Sequence, residues 1–210
     1  MKSVDPDVVQ PLSLYERRRA FTAREIQNVA FELFAQRGFE TVTVDEIAER
    51  AGMSARTFFR YFSSKEELLS RYVDSRSERL LAELQRRPDD EGGVTALREA
   101  FIVTSHIEAG ERAALIRRYQ VLIREGAIRA RSHSPWTAPE GPLAREVHRR
   151  LGGSRNTELT AVVIVTAMYA VASAAFDRWA DSGGKGDPSD QVQRALAMLE
   201  QGLTDDGMGR

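Results

Sequence analysis

Hydrophobic side chains recur at helical spacing in the first part of the chain. Between Thr22 and Phe39 the apolar positions are three or four residues apart, which is the repeat of one face of an α-helix. These positions are Ile26, Val29, Ala30, Leu33 and Phe34. Thr22 and Glu25 have the spacing of a capping box, and Gly38 suits the left-handed turn that ends many helices. The pattern therefore predicts a first helix that begins at Thr22 and stops at Gly38.

Two further capping-box sequences, Thr43–Glu46 and Ser64–Glu67, precede periodic segments. Ser54 lies between them and can cap another short helix. Together these signals predict helices at residues 44–51, 55–61 and 65–87. Later helical repeats occupy residues 94–108, 112–125, 143–151, 157–180 and 190–203, the last of them capped by Ser189. No useful stretch alternates with period two, so the pattern predicts an all-α protein of about nine helices.

One predicted helix contains a run without charge, Leu159–Phe176, whose eighteen residues reach the lower limit of a membrane span. The run is rich in Ala, Thr and Ser, and Glu158 and Asp177 close it on both sides. A helix that is apolar all round needs neighbours on every side. We therefore interpret it as a buried helix at a subunit interface, with no membrane partner.

The composition is that of a soluble globular protein. The chain has 210 residues, of which 42% are hydrophobic and 29% charged, and its formal net charge is −1. Any nucleic-acid binding must therefore come from a local basic patch. There is no cysteine, which excludes disulfides, thiolate metal sites and a cysteine nucleophile. The first residues have no apolar signal-peptide core, so we expect a cytoplasmic protein.

The segment Gly52–Phe62 carries the most specific signal, because a short helix, a tight turn and a second short helix follow one another there. This is the spacing of a helix-turn-helix motif, whose second helix enters the major groove of DNA. Phe58 and Phe62 are predicted to be buried with Ala51 and Met53. The side chains left facing outward are then Arg56, Thr57 and Arg60, while Tyr61 and Lys65 suit phosphates.

Local charge supports this interpretation only weakly. Between Tyr15 and Lys65 there are nine basic and seven acidic residues, an excess of two. Two solvated arginines on an exposed helix are the alternative interpretation of Arg56 and Arg60. Three arginines, Arg17, Arg18 and Arg19, end a predicted flexible tail at residues 1–21 and are further candidates for DNA contact.

Three longer motifs strengthen the DNA-binding interpretation. They are Ala30-Phe-Glu-Leu-Phe-Ala-Gln-Arg-Gly-Phe39, Thr41-Val-Thr-Val-Asp-Glu-Ile-Ala48 and Thr57-Phe-Phe-Arg-Tyr-Phe-Ser-Ser-Lys-Glu-Glu-Leu68. Over residues 22–69 the chain resembles the amino-terminal domain of TetR-family transcriptional regulators. The resemblance implies an all-helical homodimer, usually a repressor. In this family a small ligand in the larger domain moves the fourth helix and releases a DNA operator.

The resemblance also implies which positions face DNA. They are Thr43, Ser54, Arg56, Thr57, Phe59, Arg60, Tyr61 and Lys65. Many family members have tyrosine at Phe59 and Arg60 and histidine at Tyr61. Phe59 has no hydroxyl and is expected to pack on a methyl group or sugar, whereas Arg60 adds a candidate base reader.

The rest of the chain matches the family in helix order and length. We expect residues 22–64 to form the DNA-binding domain, residues 65–203 to form the ligand-binding and dimerisation domain, and residues 204–210 to form a tail. The small stripe Val163, Ala167, Ala170 and Ala174 is expected to form the dimer interface. Candidate ligand contacts are Phe101, His106, Tyr119, Trp136, Met168, Tyr169 and Phe176. Core packing is the more ordinary role for each of them.

Other functions remain open alternatives. A transcriptional activator of the same fold would have the same motifs. An enzyme is disfavoured because His106, His133 and His148 form no metal-binding pair and no nucleotide-binding glycine motif is present. We therefore expect no metal and no cofactor. A purely structural interaction module would not need the arginine-bearing face.

Overall fold

The structure, a computed structural model, describes residues 13–124, 136, 138 and 140–202. Within these residues it contains nine α-helices, two short 3₁₀ turns and no strand, so the predicted all-α fold is confirmed. The helices are α1 (Leu14–Arg37), α2 (Val44–Arg50), α3 (Ala55–Phe58), α4 (Lys65–Arg86), α5 (Gly93–Ser105), α6 (Arg112–Arg124), α7 (Pro142–Arg150), α8 (Glu158–Asp181) and α9 (Pro188–Gln201). The predicted tail at 204–210 and the first twelve residues of the predicted amino-terminal tail lie outside the described residues.

Helix α1 begins eight residues earlier than predicted. Ser13 and Glu16 form the capping box, with the Ser13 Oγ accepting from the Glu16 N–H and the Glu16 carboxylate accepting from the Ser13 N–H. Thr22 lies inside the helix, where its hydroxyl donates to the Arg18 carbonyl at 3.0 Å. The predicted flexible tail is therefore wrong for residues 14–21, which are helical. Their side chains are exposed, so they have no apolar repeat that would reveal the helix.

The start of α9 also differs from the prediction. Asp187, and not Ser189, is the N-cap, because its carboxylate accepts from the Ser189 N–H at 2.9 Å. Pro188 then occupies the first helical position, where its missing N–H has no cost. The helix thus begins two residues before the predicted start.

The chain divides into two compact units between Leu68 and Leu69. In the first unit, α1, α2 and α3 bury a largely aromatic core. The Phe34 and Phe39 rings meet edge to face with centroids 4.9 Å apart. Other buried members are Ile26, Phe31, Ile47, Phe58, Phe62 and Leu68. The helix-turn-helix segment therefore packs against this buried aromatic core.

The second unit is built around α8, which packs against α5, α7 and α9. Buried residues repeat along one face of α8 at helical spacing: Ala161, Val165, Met168, Ala172 and Phe176. By length and composition alone, Arg155–Asp181 could cross a membrane, a property shared by many core helices of soluble proteins. In this structure its buried face lies in the core of the second unit.

Arg150 binds the carboxyl-terminal end of α4 through hydrogen bonds to main-chain carbonyls. Its side chain is wholly buried, and its guanidinium donates to the Leu84, Arg87 and Pro88 carbonyls at 2.9, 3.0 and 2.7 Å. The last carbonyls of a helix have no partner within the helix, so Arg150 supplies the missing donors. The Glu146 carboxylate balances its charge at 2.9 Å. Burial alone would raise the pKa of Glu146, but hydrogen bonds from two arginines outweigh it and lower the pKa.

We predict that Arg150→Met lowers the free energy of unfolding by about 3 kcal/mol, because it leaves several carbonyls without donors and removes one of the two arginines that pair with the Glu146 carboxylate. Arg149→Met is the matched control on the same helix. Arg149 is half exposed, its partner Asp89 is exposed, and Glu146 keeps its pair with Arg150 when Arg149 is lost, so the loss should cost less than about 1 kcal/mol. Urea denaturation followed by circular dichroism measures both values. Equal effects of the two substitutions would contradict the proposed fastening role.

Candidate nucleic-acid interface and effector cavity

The helix-turn-helix segment is held by local hydrogen bonds. The predicted capping box of α2 is confirmed, since the Thr43 hydroxyl accepts from the Glu46 N–H and the Glu46 carboxylate accepts from the Thr43 N–H at 2.8 Å. Gly52 supplies the turn with a φ of 70°, a conformation that side-chain-bearing residues rarely adopt. Ser54 then caps α3 by accepting from the Thr57 N–H at 3.2 Å.

The recognition helix is shorter than predicted. Helix α3 ends at Phe58, and the chain continues to Tyr61 in tight turns in which the N–H of Arg60 bonds to the Thr57 carbonyl at 3.1 Å. Phe58 and Phe62 are buried as predicted, whereas Ala51 and Met53 are only half buried. The two buried rings hold both ends of this segment against the core, which fixes the outward direction of the residues between them.

The exposed side of this segment carries two arginines whose positive charges are unpaired among the described residues. Arg56 and Arg60 are exposed, and neither guanidinium makes a hydrogen bond or ion pair with any other residue that the structure describes. Phe59 is 54% exposed, with its ring edge against Phe58. Free guanidinium groups beside an apolar ring suit guanine edges, phosphates and thymine methyl groups.

A third arginine approaches the same segment from α1. Arg19 Nη2 lies 3.5 Å from the Arg60 carbonyl oxygen, whereas Arg17 and Arg18 are exposed on the same helix. The sequence predicted a basic run near the motif but not this contact, because it depends on residues 41 positions apart. The helical form of residues 14–21 is what brings Arg19 to the recognition segment.

Three candidate hydroxyl groups and Lys65 already have partners. The Thr43, Ser54 and Thr57 hydroxyls take part in helix capping. Lys65 Nζ donates to the Phe39 carbonyl at 2.8 Å and lies 4.4 Å from the centre of the Phe39 ring. Its phosphate contact and the DNA contact of the half-buried Tyr61 stay predictions. The geometry shows that Lys65 ties the start of α4 to the connection after α1.

The second unit contains a cavity of about 70 Å³. Four of the seven candidate ligand contacts line it: Phe101, Tyr119, Tyr169 and Phe176. A further wall comes from α4, through Tyr72, Arg76, Ser77, Arg79 and Leu80. The α4 residues were missed because no motif marks them, although Tyr72, Arg76 and Leu80 are four residues apart and so lie on one helix face.

The other three candidates lie outside this cavity lining. His106 is 60% exposed, and its Nδ1 lies 2.7 Å from an Asp187 carboxylate oxygen. Met168 is buried in the core around α8. Trp136 packs against that core and donates its indole N–H to the Asp74 carboxylate at 3.2 Å. Trp136 therefore contacts α4 through Asp74 and is not part of the cavity wall.

The candidate dimer residues share the side of α8 that faces away from the core. Val163 is 56% exposed, Ala170 and Ala174 are exposed, and Ala167 is half buried. Leu159 on the same helix and Met198 on α9 are also exposed, at 73% and 61%. The two helices thus present apolar side chains that no other described residue covers.

A helix-turn-helix segment with a free arginine face, followed by a larger helical unit, defines a DNA-binding protein of the helix-turn-helix class. Two family models match the chain. The model of bacterial regulatory proteins of the tetR family matches residues 26–72, and the model of the MftR C-terminal domain matches residues 91–204. The chain belongs to the TetR family of transcriptional regulators.

Individual relatives agree with this assignment. The chain is 32% identical over 167 residues to the regulator MftR of Mycobacterium tuberculosis strain H37Rv, whose name refers to mycofactocin biosynthesis; the match covers 78% of this chain and 82% of MftR. It is 29% identical to TcmR of Streptomyces glaucescens, over 79% of this chain and 76% of TcmR. The crystal structure of NalD from Pseudomonas aeruginosa shares the fold, with a TM-score of 0.58 and 17% identity, over 90% of this chain and 99% of NalD.

We predict that Arg60→Ala weakens binding at one preferred base pair by about 1–3 kcal/mol and relaxes sequence preference there, because a guanidinium that bridges a base edge is lost. The DNA site is first selected from random duplexes with the wild-type protein. Fluorescence anisotropy then compares single-base variants of that site. Arg117→Ala, which removes an exposed arginine on α6, is the control and should change nothing. An unchanged base preference in Arg60→Ala would remove Arg60 from the reading face.

We predict that Glu46→Gln reduces the acid sensitivity of the first unit. The hydrogen bond from the Thr43 N–H, assisted by Arg37, lowers the pKa of Glu46 from 4.5 to about 2. A carboxylate with a lowered folded-state pKa contributes stability that is complete above pH 4.5 and is lost as the pH falls toward 2. The stability difference between wild type and Glu46→Gln should therefore shrink between pH 6 and pH 3. Urea midpoints at several pH values measure it, with Glu49→Gln on the same helix as control.

Proposed function

We propose that this protein is a ligand-responsive repressor, released from a two-fold symmetric DNA operator by a small molecule. The observation that supports release is the composition of the cavity wall. Tyr72, Arg76 and Leu80 lie on α4, and the same continuous helix begins at Lys65, directly after the recognition segment. A molecule that displaces this wall therefore acts on the helix that leads to the DNA-binding residues.

The size of the cavity supports coupling between binding and movement. Ligand pockets usually measure about 300–1,000 Å³, several times the volume of this cavity. We therefore propose that an effector enlarges the cavity by moving its walls. A ligand shifts an equilibrium only by preferring one conformation, and a molecule that needs the enlarged cavity has such a preference.

The operator and the dimer are linked by symmetry. A helix-turn-helix dimer binds two half-sites about 34–36 Å apart, and a two-fold interface uses the same surface on both copies. The uncovered apolar side of α8 and α9, which includes Val163, Ala170 and Met198, suits such an interface. A protein with this activity works where the chromosome is, in the bacterial cytoplasm.

We predict that Ala170→Arg converts the dimer to a monomer and lowers operator affinity by at least a hundredfold, because it brings like charges together across an apolar interface. Gln120→Arg, an exposed position on α6, is the control for the added charge. Light scattering measures the mass, and anisotropy with the selected duplex measures the affinity. A stable Ala170→Arg dimer with wild-type affinity would show that the interface lies elsewhere.

A reporter-gene assay distinguishes repression from activation by the direction of the change in expression. The selected operator is placed over the core promoter of a reporter gene, and the protein is supplied from a second plasmid. A repressor lowers expression, and Arg60→Ala restores it. An activator of the same fold would raise expression when the operator is placed upstream of the promoter, and that result would contradict the proposed direction of control.

A further inference from the structure

The charged side chains that line the cavity of the second unit are all positive among the described residues. Its lining includes Arg76 and Arg79, and no carboxylate lines it among the residues that the structure describes. This inference rests on the proposed function, in which the cavity binds the effector. A cavity with positive charge and no balancing acid favours an anion over a neutral or cationic molecule of the same shape.

Arg76 is the group that is free to bind such an anion. Its guanidinium carbon lies 5.0 Å from the centre of the Phe176 ring, and no hydrogen bond or ion pair joins it to another described residue. Arg79, by contrast, already has a partner. Arg76 is half buried, and its N–H groups have no acceptor among the described residues. A bound carboxylate would supply those acceptors.

The rest of the wall suits an apolar body. The Phe101 and Tyr169 rings meet edge to face at 5.9 Å, and Tyr119 meets Phe176 at 4.9 Å. Hydroxyl groups lie among these rings, on Ser77, Thr104, Ser105 and Ser173, and the buried Ser77 hydroxyl is 3.5 Å from the Tyr169 hydroxyl. Aromatic walls combined with polar groups that fix orientation are the usual lining of a site for an organic molecule.

We propose that the effector is an organic acid with an apolar ring, and that its carboxylate pairs with Arg76 beside Phe176. A guanidinium binds a carboxylate through two parallel hydrogen bonds, so the planar group is preferred to a point charge. An engineered protein cavity of about 150 Å³ binds benzene. This cavity measures about 70 Å³, so we expect a small aromatic acid to enlarge it by displacing the wall that includes α4.

Three probes of the same planar shape test the charge preference: 2-naphthoate, 2-naphthamide and 2-naphthamidine, which are an anion, a neutral molecule and a cation. Isothermal titration calorimetry on the DNA-free protein measures each dissociation constant. We expect naphthoate to bind at least tenfold more tightly than the amide and the amidine to bind most weakly. Similar affinities for all three, no binding of any, or a preference for the amidine would overturn the proposal.

Variants locate the preference at Arg76. Arg76→Met should remove the advantage of naphthoate over the amide, whereas Arg76→Lys should keep part of it because the charge remains without the planar fork. Arg117→Met removes the same charge from an exposed position on α6 and should change nothing. Circular dichroism confirms that each variant is folded. An undiminished advantage of naphthoate in Arg76→Met would overturn the assignment, and Arg76→Lys provides the same test if the methionine variant does not fold.

Anisotropy with the selected operator separates this inference from the proposed function. Naphthoate that binds through Arg76 but leaves DNA binding unchanged would support the anion site and contradict its role in release. Release of DNA by an amine or a neutral molecule that does not need Arg76 would support ligand-responsive control and overturn the anion site.

Discussion

The structure depends on how the two ends of α4 are held, because this single helix continues from the DNA-binding unit into the larger unit. At each end a long cationic side chain donates to main-chain carbonyls. Lys65 reaches the Phe39 carbonyl at the start, and Arg150 reaches the Leu84 and Arg87 carbonyls at the end. The carboxyl-terminal end of a helix leaves carbonyls without partners, and a carbonyl cluster favours a cation. Arg150 supplies donors to the end of α4 itself, whereas Lys65, on the first turn of α4, supplies them to the connection that follows α1.

Two faces of helix α8 have different roles: one lines the cavity, and the other is the proposed dimer interface. Its buried face provides Tyr169 and Phe176 to the cavity, and its opposite face carries the small, exposed residues Ala170 and Ala174. A helix that is apolar all round would be unstable in water if the second face stayed uncovered. Small residues on that face allow a second helix to approach closely. The cavity wall and the proposed dimer interface therefore share one helix.

Local signals in the sequence predicted local structure well. The capping box at Thr43 and Glu46, the Ser54 cap and the burial of Phe58 and Phe62 depend on residues within a few positions of one another. The early start of α1 was missed because its exposed first turns have no apolar repeat. The inward position of Lys65 was missed because its partner at Phe39 is 26 residues away. For the same reason the sequence predicted aromatic members of the cavity wall but not the arginine between them.

The arginines show why a protein with a net charge of −1 can still recognise anions. Arg150 is buried and its donors are satisfied by carbonyls and Glu146, so it contributes stability and no field to the surface. Arg56 and Arg60 are exposed and unpaired among the described residues, and Arg76 is half buried and equally unpaired. A charge whose donors are occupied cannot bind a further partner without losing the first one. The proposed recognition of anions therefore depends on where the unpaired guanidinium groups lie and not on the total charge: Arg56 and Arg60 face outward beside the recognition segment, and Arg76 lies against the Phe176 ring of the cavity.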